Sequence, residues 1–412
     1  MNLKLSGPSN KRLNAELTVT GSKSETNRLL LLQALFPELE IDNISNSDDA
    51  QVMQQGLASD GALVDIHHAG TAMRFLTAYF ASRAGREVVL TGSERMRQRP
   101  LEILVDALKD LGAEITYEGK KGCPPLRIKG QHLKGPRVTM PASVSSQYIS
   151  ALILIGPSLP EGLELTLEGN ITSMPYIHMT LGLLKRLGIQ NSFTGNQISI
   201  APAQSISGER QITVESDWSS ASYYYSIVAL SEPGTRITLR FYREDSLQGD
   251  SALVDLFKPL GVHTSFEADR ITLSKGDEPL PPKIKHNLIQ TPDLAQTLVA
   301  CCFGLGIGCD LTGLHTLKIK ETDRLQALYN EITKLGGSIR VTDRSLYLKP
   351  EHQMLSDKRI ATYNDHRMAM AFAPLAMVAP LSFEDAGVVS KSYPDFWKDL
   401  EVLGFTSEEV SE

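Results

Sequence analysis

The sequence predicts an α/β protein assembled from repeated modules. A helix ending in Leu-Gly and running into a strand recurs as LEILVDALKDLGAEITY, MTLGLLKRLGIQNSF, SALVDLFKPLGVHTSF and LQALYNEITKLGGSIRV. The glycines Gly112, Gly188, Gly261 and Gly336 stand about 75 residues apart, a long-period internal repeat. Each glycine suits the left-handed cap that ends a helix, and the segment after it alternates apolar and polar residues as a strand does. A weaker copy from Asp48 to Asp65 and a last one at FWKDLEVLGF would make six units of strands plus two helices.

Length and composition bound the reading. At 412 residues the chain has room for two or three domains with buried cores. Hydrophobic residues at 42% and charged residues at 22% are ordinary for a globular protein. A net charge of −7 argues against nucleic acid or an anionic membrane as the main partner, so an anionic ligand must be held by a local cluster of cations. The start MNLKLSGPSNKRL lacks the apolar core of a signal peptide, and no apolar run is long enough to span a bilayer. Cys123, Cys301, Cys302 and Cys309 have no CxxC spacing, so free thiols in a reducing cytoplasm are expected and a metal is not.

The helix starts carry the chemistry. Ser22 and Glu25 have capping-box spacing, which starts a helix at Ser22 and puts Lys23 and Ser24 on a first turn whose free N–H groups attract anions. Arg28, four residues after Ser24, adds a forked cation on the same face. His68-Ala69-Gly70-Thr71 precedes a second helix; Gly70 permits close approach of a ligand, with Arg74 one turn on. Arg95, Arg97 and Arg99 stand before a third and read equally as an anion site or a solvated loop. Ser145, Ser146 and Gln147 open a fourth, YISALILIG, as caps or as ligand donors. Thr291-Pro292-Asp293 opens a fifth, with Pro292 at the first helical position and the dipole favouring ionised Asp293.

In Lys320-Glu321-Thr322-Asp323-Arg324 the two cations are expected on one helix face, with Glu321 about 100° round. That run is a phosphate site beside a proton donor, or a salt-bridged helix start. Asn364-Asp365-His366-Arg367 heads the helix MAMAFAPLAMV, and Lys391-Ser392-Tyr393-Pro394-Asp395 heads the last one. His366 has no second histidine at metal-ligand spacing, and Gly21-Ser22-Lys23-Ser24 is not a P-loop because Glu16 stands where the first glycine would be.

Taken in order, GSKSETNRLLLLQAL, HAGTAMRFL, RMRQRPLEILVDAL, SVSSQYISALI, SMPYIHMTL, SDWSSASYY, KETDRL, YNDHRMAMAF and KSYPDF resemble the 5-enolpyruvylshikimate-3-phosphate synthase family of enolpyruvyl transferases over nearly the whole chain. The resemblance implies two similar domains, each of three β-α-β-α-β-β repeats in an inside-out α/β barrel, with the active site in the interdomain cleft. The domains would span 20–215 and 216–412, the second joined by the N-terminal strand of residues 1–19. It implies transfer of the enolpyruvyl group of phosphoenolpyruvate to the 5-hydroxyl of shikimate 3-phosphate, with no cofactor, by a cytoplasmic monomer that glyphosate inhibits.

By the same resemblance, Lys23, Gly70, Arg99, Gln147, Arg324, Arg367 and Lys391 surround phosphoenolpyruvate. Lys23, Ser24, Arg28, Ser145, Ser146, Gln147, Ser173, Tyr176, Asp293, Thr316 and Lys320 hold shikimate 3-phosphate. Asp293 is the expected base and Glu321 the expected acid toward C3, with Lys23 also a candidate for handling protons. His68, Phe75, Met174 and Thr316 depart from the family pattern, where asparagine, proline, lysine and asparagine stand; Thr316 puts one acceptor contact in doubt. The rival readings are the related UDP-N-acetylglucosamine enolpyruvyl transferase, whose loop cysteine this chain lacks, and a non-catalytic anion-binding protein that kept the fold.

Overall fold

The recurring unit is a strand, a helix, a second strand parallel to the first, a second helix, and two closing antiparallel strands. In the computed structural model of the chain, residues 1–142, 145–169, 171, 174–350 and 354–410 are described. Residues 21–214 form one unit, and residues 1–20 with 215–412 form the other. The helices of the first unit are α1 (Lys23–Leu35), α2 (Asp48–Ala58), α3 (Gly70–Ala81), α4 (Glu102–Asp110), α5 (Ser146–Ile155) and α6 (Met174–Arg186). Those of the second are α7 (Trp218–Ala229), α8 (Leu253–Phe257), α9 (Ala295–Gly304), α10 (Arg324–Lys334), α11 (His366–Phe372) and α12 (Phe396–Val402).

Five four-stranded sheets share one topology among the described residues. In one of them Lys283–Asn287 lies parallel to Gly308–Thr312, which is antiparallel to Ser345–Leu348, which is antiparallel to Ile339–Val341. The sixth sheet has two parallel strands, Glu40–Asp42 and Gln211–Thr213. The copy from Asp48 to Asp65 is therefore truncated: the strand after α2, Leu63–Asp65, pairs in parallel with Glu87–Thr91 and opens the next repeat instead of closing its own.

Alternate helices differ in burial, and the difference follows their sequences. The first helix of each repeat (α1, α3, α5, α7, α9, α11) is buried on nearly every side, and all but α1, whose first two turns are polar, are largely apolar. In the first unit α1, α3 and α5 pack on one another; in the second, α9 packs on α7 and α11. The second helices show one apolar face: α10 buries Leu325, Ala327, Leu328 and Ile332 and exposes Gln326 and Tyr329. Gly112, Gly188, Gly261 and Gly336 all adopt positive φ, so the Leu-Gly ends are left-handed caps as the sequence indicates.

Three local expectations are corrected. Lys320 and Arg324 do not share a helix face, because Asp323 caps α10 through the Gln326 N–H and the helix begins only at Arg324. The helix expected over MAMAFAPLAMV stops at Phe372; residues Ala373–Met377, with Pro374 near their start, form a 3-10 turn. In SALVDLFKPLG the α-helical part is only Leu253–Phe257, since Pro259 cannot continue the bond ladder. All four cysteines are buried and free, and among the described residues no helix is long and apolar enough to cross a membrane.

Candidate active site

In the unit of residues 21–214 the expected residues gather at the starts of α1, α3 and α5. Ser22 caps α1, its Oγ accepting the Glu25 N–H at 3.4 Å, so Lys23 and Ser24 occupy the first turn. Lys23 Nζ lies 3.3 Å from Asp49 Oδ2, and His68 Nε2 lies 3.6 Å from Asp49 Oδ1. Asp49 was not singled out in the sequence; its signal was only a second acidic residue in the first turn of α2, which reads as a dipole partner. Gly70 is the first residue of α3, and a Cβ there would stand 2.6 Å from Arg99 Nη1. The glycine thus lets the Arg99 guanidinium lie directly on the helix start. Gln147, on the first turn of α5, donates from Nε2 to Thr71 Oγ1 at 3.1 Å, while Ser145 caps the helix.

Arg28 differs from its expected role as an open fork. It is 2% exposed, and its Nε donates to Thr180 Oγ1 at 2.8 Å, Nη1 to the Ser24 carbonyl at 2.7 Å, and Nη2 to Ser150 Oγ at 3.1 Å and the Tyr176 carbonyl at 3.4 Å. Its guanidinium also lies over the rings of Phe75 and Tyr176. Among the described residues these bonds engage four of its five N–H donors, which makes Arg28 chiefly a brace between α1, α5 and α6. Burial lowers its pKa to about 10, still charged at neutral pH. Arg74 is a similar brace, buried and bonded to the carbonyls of Gly70 and Pro100, so it fixes the segment that carries Arg99. Ser173 lies outside the described residues.

In the second unit the cluster is built around one carboxylate. Asp293 sits in the 3-10 turn Pro292–Leu294 ahead of α9 and is 9% exposed. Its Oδ1 lies 2.8 Å from Arg324 Nη1 and 3.3 Å from Lys320 Nζ, and its Oδ2 lies 3.4 Å from Arg367 Nη2. Burial alone would raise its pKa, but Lys320, Arg367 and Arg324 hold it well below the ordinary carboxylate range. These three cations explain the ionised state more fully than the helix dipole does.

Arg324 is itself buried between three carboxylates: Nε to Asp365 Oδ2 at 2.7 Å, Nη2 to Asp365 Oδ1 at 3.2 Å and to Glu321 Oε2 at 2.9 Å, and Nη1 to Asp293. Burial opposes its charge, yet Asp365, Glu321 and Asp293 outweigh that and raise its pKa. Asp365, the N-cap of α11, also accepts the Arg367 N–H. In the sequence Asp365 stands only within a run that heads a helix; its pairing with Arg324 needs α10 and α11 side by side.

Lys391 Nζ donates at 2.6 Å to the carbonyl of Asn364. Tyr363 and Asn364 both have φ near +55° (54° and 55°), an uncommon pair for residues with side chains. The turn is anchored by the Tyr363 hydroxyl, which donates to buried Glu331 at 2.7 Å and accepts from Asn330 at 3.2 Å. Thr316 Oγ1, at the doubted acceptor position, is shielded from solvent and has no hydrogen-bond partner among the described residues. No group of three or more His, Cys, Asp or Glu among the described residues is arranged to hold a metal ion.

An α/β repeat protein whose buried helix starts gather lysines, arginines and carboxylates fits the class of enzymes that manage anionic substrates. The chain belongs to the EPSP synthase (3-phosphoshikimate 1-carboxyvinyltransferase) family, whose model matches residues 53–400. A 3-phosphoshikimate 1-carboxyvinyltransferase of Bacteroides fragilis (strain YCH46) is 45% identical over 406 residues, 97% of each chain. That of Escherichia coli (strain K12 / DH10B) is 32% identical over 419 residues, 94% of this chain and 96% of the relative. In fold, the chain is similar to an EPSP synthase of Acinetobacter baumannii, with a TM-score of 0.80 at 21% identity over 99% of this chain and 100% of the other. It is also similar to the enolpyruvyl transferase NikO from Streptomyces tendae, with a TM-score of 0.74 at 16% identity over 100% and 99%.

Proposed function

We propose that this protein transfers the enolpyruvyl group of phosphoenolpyruvate to the 5-hydroxyl of shikimate 3-phosphate and releases phosphate. The observation that carries the reading is Asp293, a buried carboxylate held ionised by Lys320, Arg324 and Arg367, in a chain of this family. Two phosphates and two carboxylates must be brought together, and only fixed cations offset their repulsion. Lys23, Gly70, Arg99, Gln147, Arg324, Arg367 and Lys391 receive the donor. Lys23, Ser24, Arg28, Ser145, Ser146, Gln147, Ser173, Tyr176, Asp293, Thr316 and Lys320 receive the acceptor.

Asp293 takes the proton of the 5-hydroxyl as its oxygen bonds to C2 of the donor, and Glu321 or Lys23 gives C3 a proton. The product of this addition is a tetrahedral intermediate. Elimination returns a C3 proton, re-forms the C2–C3 double bond and breaks the bond to the phosphate oxygen. A carboxylate this strongly paired is a weak base in the free protein. Ligand anions that draw Lys320, Arg324 and Arg367 toward themselves weaken those pairs and raise its basicity, so the base is activated when the site fills.

The test is phosphate release from phosphoenolpyruvate with shikimate 3-phosphate, with UDP-N-acetylglucosamine, and with no acceptor. Release only with shikimate 3-phosphate is expected. Release with the nucleotide sugar instead, or tight donor binding without turnover, would replace this reading by one of its rivals. The protein acts without a cofactor and as a monomer in this reading, which sedimentation of the active enzyme checks.

A further inference from the structure

Tyr363 and Asn364 are the two central residues of a four-residue turn, closed by the Asp365 N–H donating to the Thr362 carbonyl at 2.9 Å. Positive φ at both, 54° and 55°, marks a type I′ turn, whose central positions asparagine and glycine ordinarily fill. Asn364 fits this pattern. Tyr363 does not, because the left-handed region brings its Cβ against the following carbonyl oxygen. A backbone of this kind persists only where its surroundings fix it, and such turns gather at functional sites.

The surroundings that fix it lie on α10. Glu331, two turns after Arg324, is fully buried. Its Oε1 accepts the Tyr363 hydroxyl at 2.7 Å, and its Oε2 accepts the Ala361 N–H at 3.2 Å and Lys334 Nζ at 2.6 Å. Lys334 Nζ also donates to the Arg359 carbonyl at 2.9 Å, and Asn330 Nδ2 to the Tyr363 hydroxyl at 3.2 Å. A buried carboxylate is costly unless donors satisfy it, and two of the donors that satisfy Glu331 come from the entry to this turn. The exit is held from the other end of the same helix, where both oxygens of Asp365 meet Arg324. The helix α10 is thus a template for the segment of residues 361–365, with Glu331 at one end and Arg324 at the other.

The turn presents one group to the site: the Asn364 carbonyl, which accepts from Lys391 Nζ at 2.6 Å. The direction of a carbonyl is set by the φ and ψ of its own residue, so a turn of the opposite hand would swing this one away. A lysine ammonium rides on a flexible four-carbon stem, and a fixed acceptor restricts where it stands. We propose that Glu331 is a positioning residue for Lys391: through Tyr363 and the Ala361 N–H it imposes the left-handed turn that aims the Asn364 carbonyl at the ammonium. The proposal rests on the reading of Lys391 as a donor ligand. It extends that site to a carboxylate which touches neither substrate.

The experiment compares Glu331→Gln, Tyr363→Phe and Lys391→Met, each read as KM for phosphoenolpyruvate, KM for shikimate 3-phosphate and kcat. Glu331→Gln and Tyr363→Phe should each raise the donor KM about tenfold, the size of one hydrogen bond to a charged group, and leave the acceptor KM unchanged. General loosening of the fold would move both constants, and that result overturns the proposal; Tyr363→Phe keeps this readout open if Glu331→Gln fails to fold. Tyr363→Asn together with Asn364→Gly writes the residues that adopt this turn unaided, so the pair should return the donor KM of Glu331→Gln toward the parental value. In the Lys391→Met background Tyr363→Phe should add nothing to the donor KM, because both changes act through one ammonium; a further rise overturns the proposal. Lys391→Met separates the two layers. If it leaves the donor KM unchanged, the donor-ligand reading fails. If it raises that KM while the Glu331 and Tyr363 changes do not, only the positioning role fails.

Discussion

Replacing Asp293 by asparagine should move turnover and anion binding in opposite directions. The change removes one negative charge from a buried cluster of three cations while keeping the shape of the side chain. Breaking a buried pair costs about 3–5 kcal/mol, and Arg324 retains Asp365 and Glu321, so the lower end applies. About 3 kcal/mol corresponds to a fall of about 6–12 °C in Tm for a unit of this size. The stabilisation belongs to a carboxylate whose folded pKa lies below its unfolded value. It is therefore fully present above the unfolded pKa of about 4 and is lost as pH falls through the lower folded pKa. The difference in Tm between parent and variant should shrink on acidification below about pH 4.

The freed cations should bind inorganic phosphate at least about tenfold more tightly, since a charge at about 4 Å is worth several kcal/mol even at an effective dielectric constant near 20. Turnover should fall about 10²–10⁴-fold, the usual contribution of a positioned base. Calorimetric titration with phosphate, thermal melts from pH 3 to 8 and phosphate-release kinetics read the three effects. A fall in phosphate affinity parallel to the loss of turnover would show that Asp293 holds the cations in place and would remove the argument for it as the base.

Other changes test separate parts of the site. Gly70→Ala places a methyl 2.6 Å from Arg99 Nη1, so the guanidinium must retreat by about 1 Å; donor KM should rise, and the longer inhibitor glyphosate should lose more than the donor. Paired titrations decide, and equal weakening of the two ligands contradicts the steric argument. Asp250→Asn carries a stability signature, since Asp250 is buried and accepts the Ser219 hydroxyl. A carboxyl raised from 3.8 to about 6 stabilises the fold below its unfolded pKa and loses that contribution as pH rises through 6, leaving a cost of about 3 kcal/mol at neutral pH. The variant should therefore gain in Tm relative to the parent between about pH 4 and 6 and hold that margin above 6, less the loss of the Ser219 bond. Tyr363→Phe removes two bonds to Glu331 and Asn330 and should cost about 1–2 kcal/mol in denaturant unfolding. It should also raise donor KM, because the Asn364 carbonyl that holds Lys391 belongs to the same turn.

The fold was legible because its repeat is written in local terms. Leu-Gly ends and alternating strands are set by helix capping and pleat, which neighbouring residues dictate, and the Ser22, Ser145 and Asp365 caps sit where the sequence places helix starts. Lys320-Glu321-Thr322-Asp323-Arg324 was misread as helical because five polar residues carry no period, and only the Asp323 cap shows where α10 begins. Asp49 and Glu331 were missed for a different reason. Each is ordinary in its own segment, and each acquires its role from a residue distant in the chain: Lys23 for Asp49, Tyr363 for Glu331. The fork of Arg28 was overstated because helix-face geometry says nothing of Ser150, Thr180 and Tyr176, which absorb it.

The interrupted repeat bears on how the chain is made. Residues 21–214 are continuous and can fold as soon as they leave the ribosome, since none of the strands in their sheets comes from elsewhere. The other unit has its first pieces synthesised first, and the very first of them is used last. Asn14–Leu17 pairs with Arg236–Arg240, and Asn2–Ser6 lies between Leu381–Phe383 and Thr406–Val410. The N-terminal strand, with apolar Leu3 and Leu5, must therefore remain unpaired until almost the entire chain has been translated. Loop closure over such separations is slow, so a nascent chain arrested near residue 300 should contain a protease-resistant fragment from the continuous unit and a cleavable N-terminus. Birth order and assembly order are reversed at the two ends of this protein.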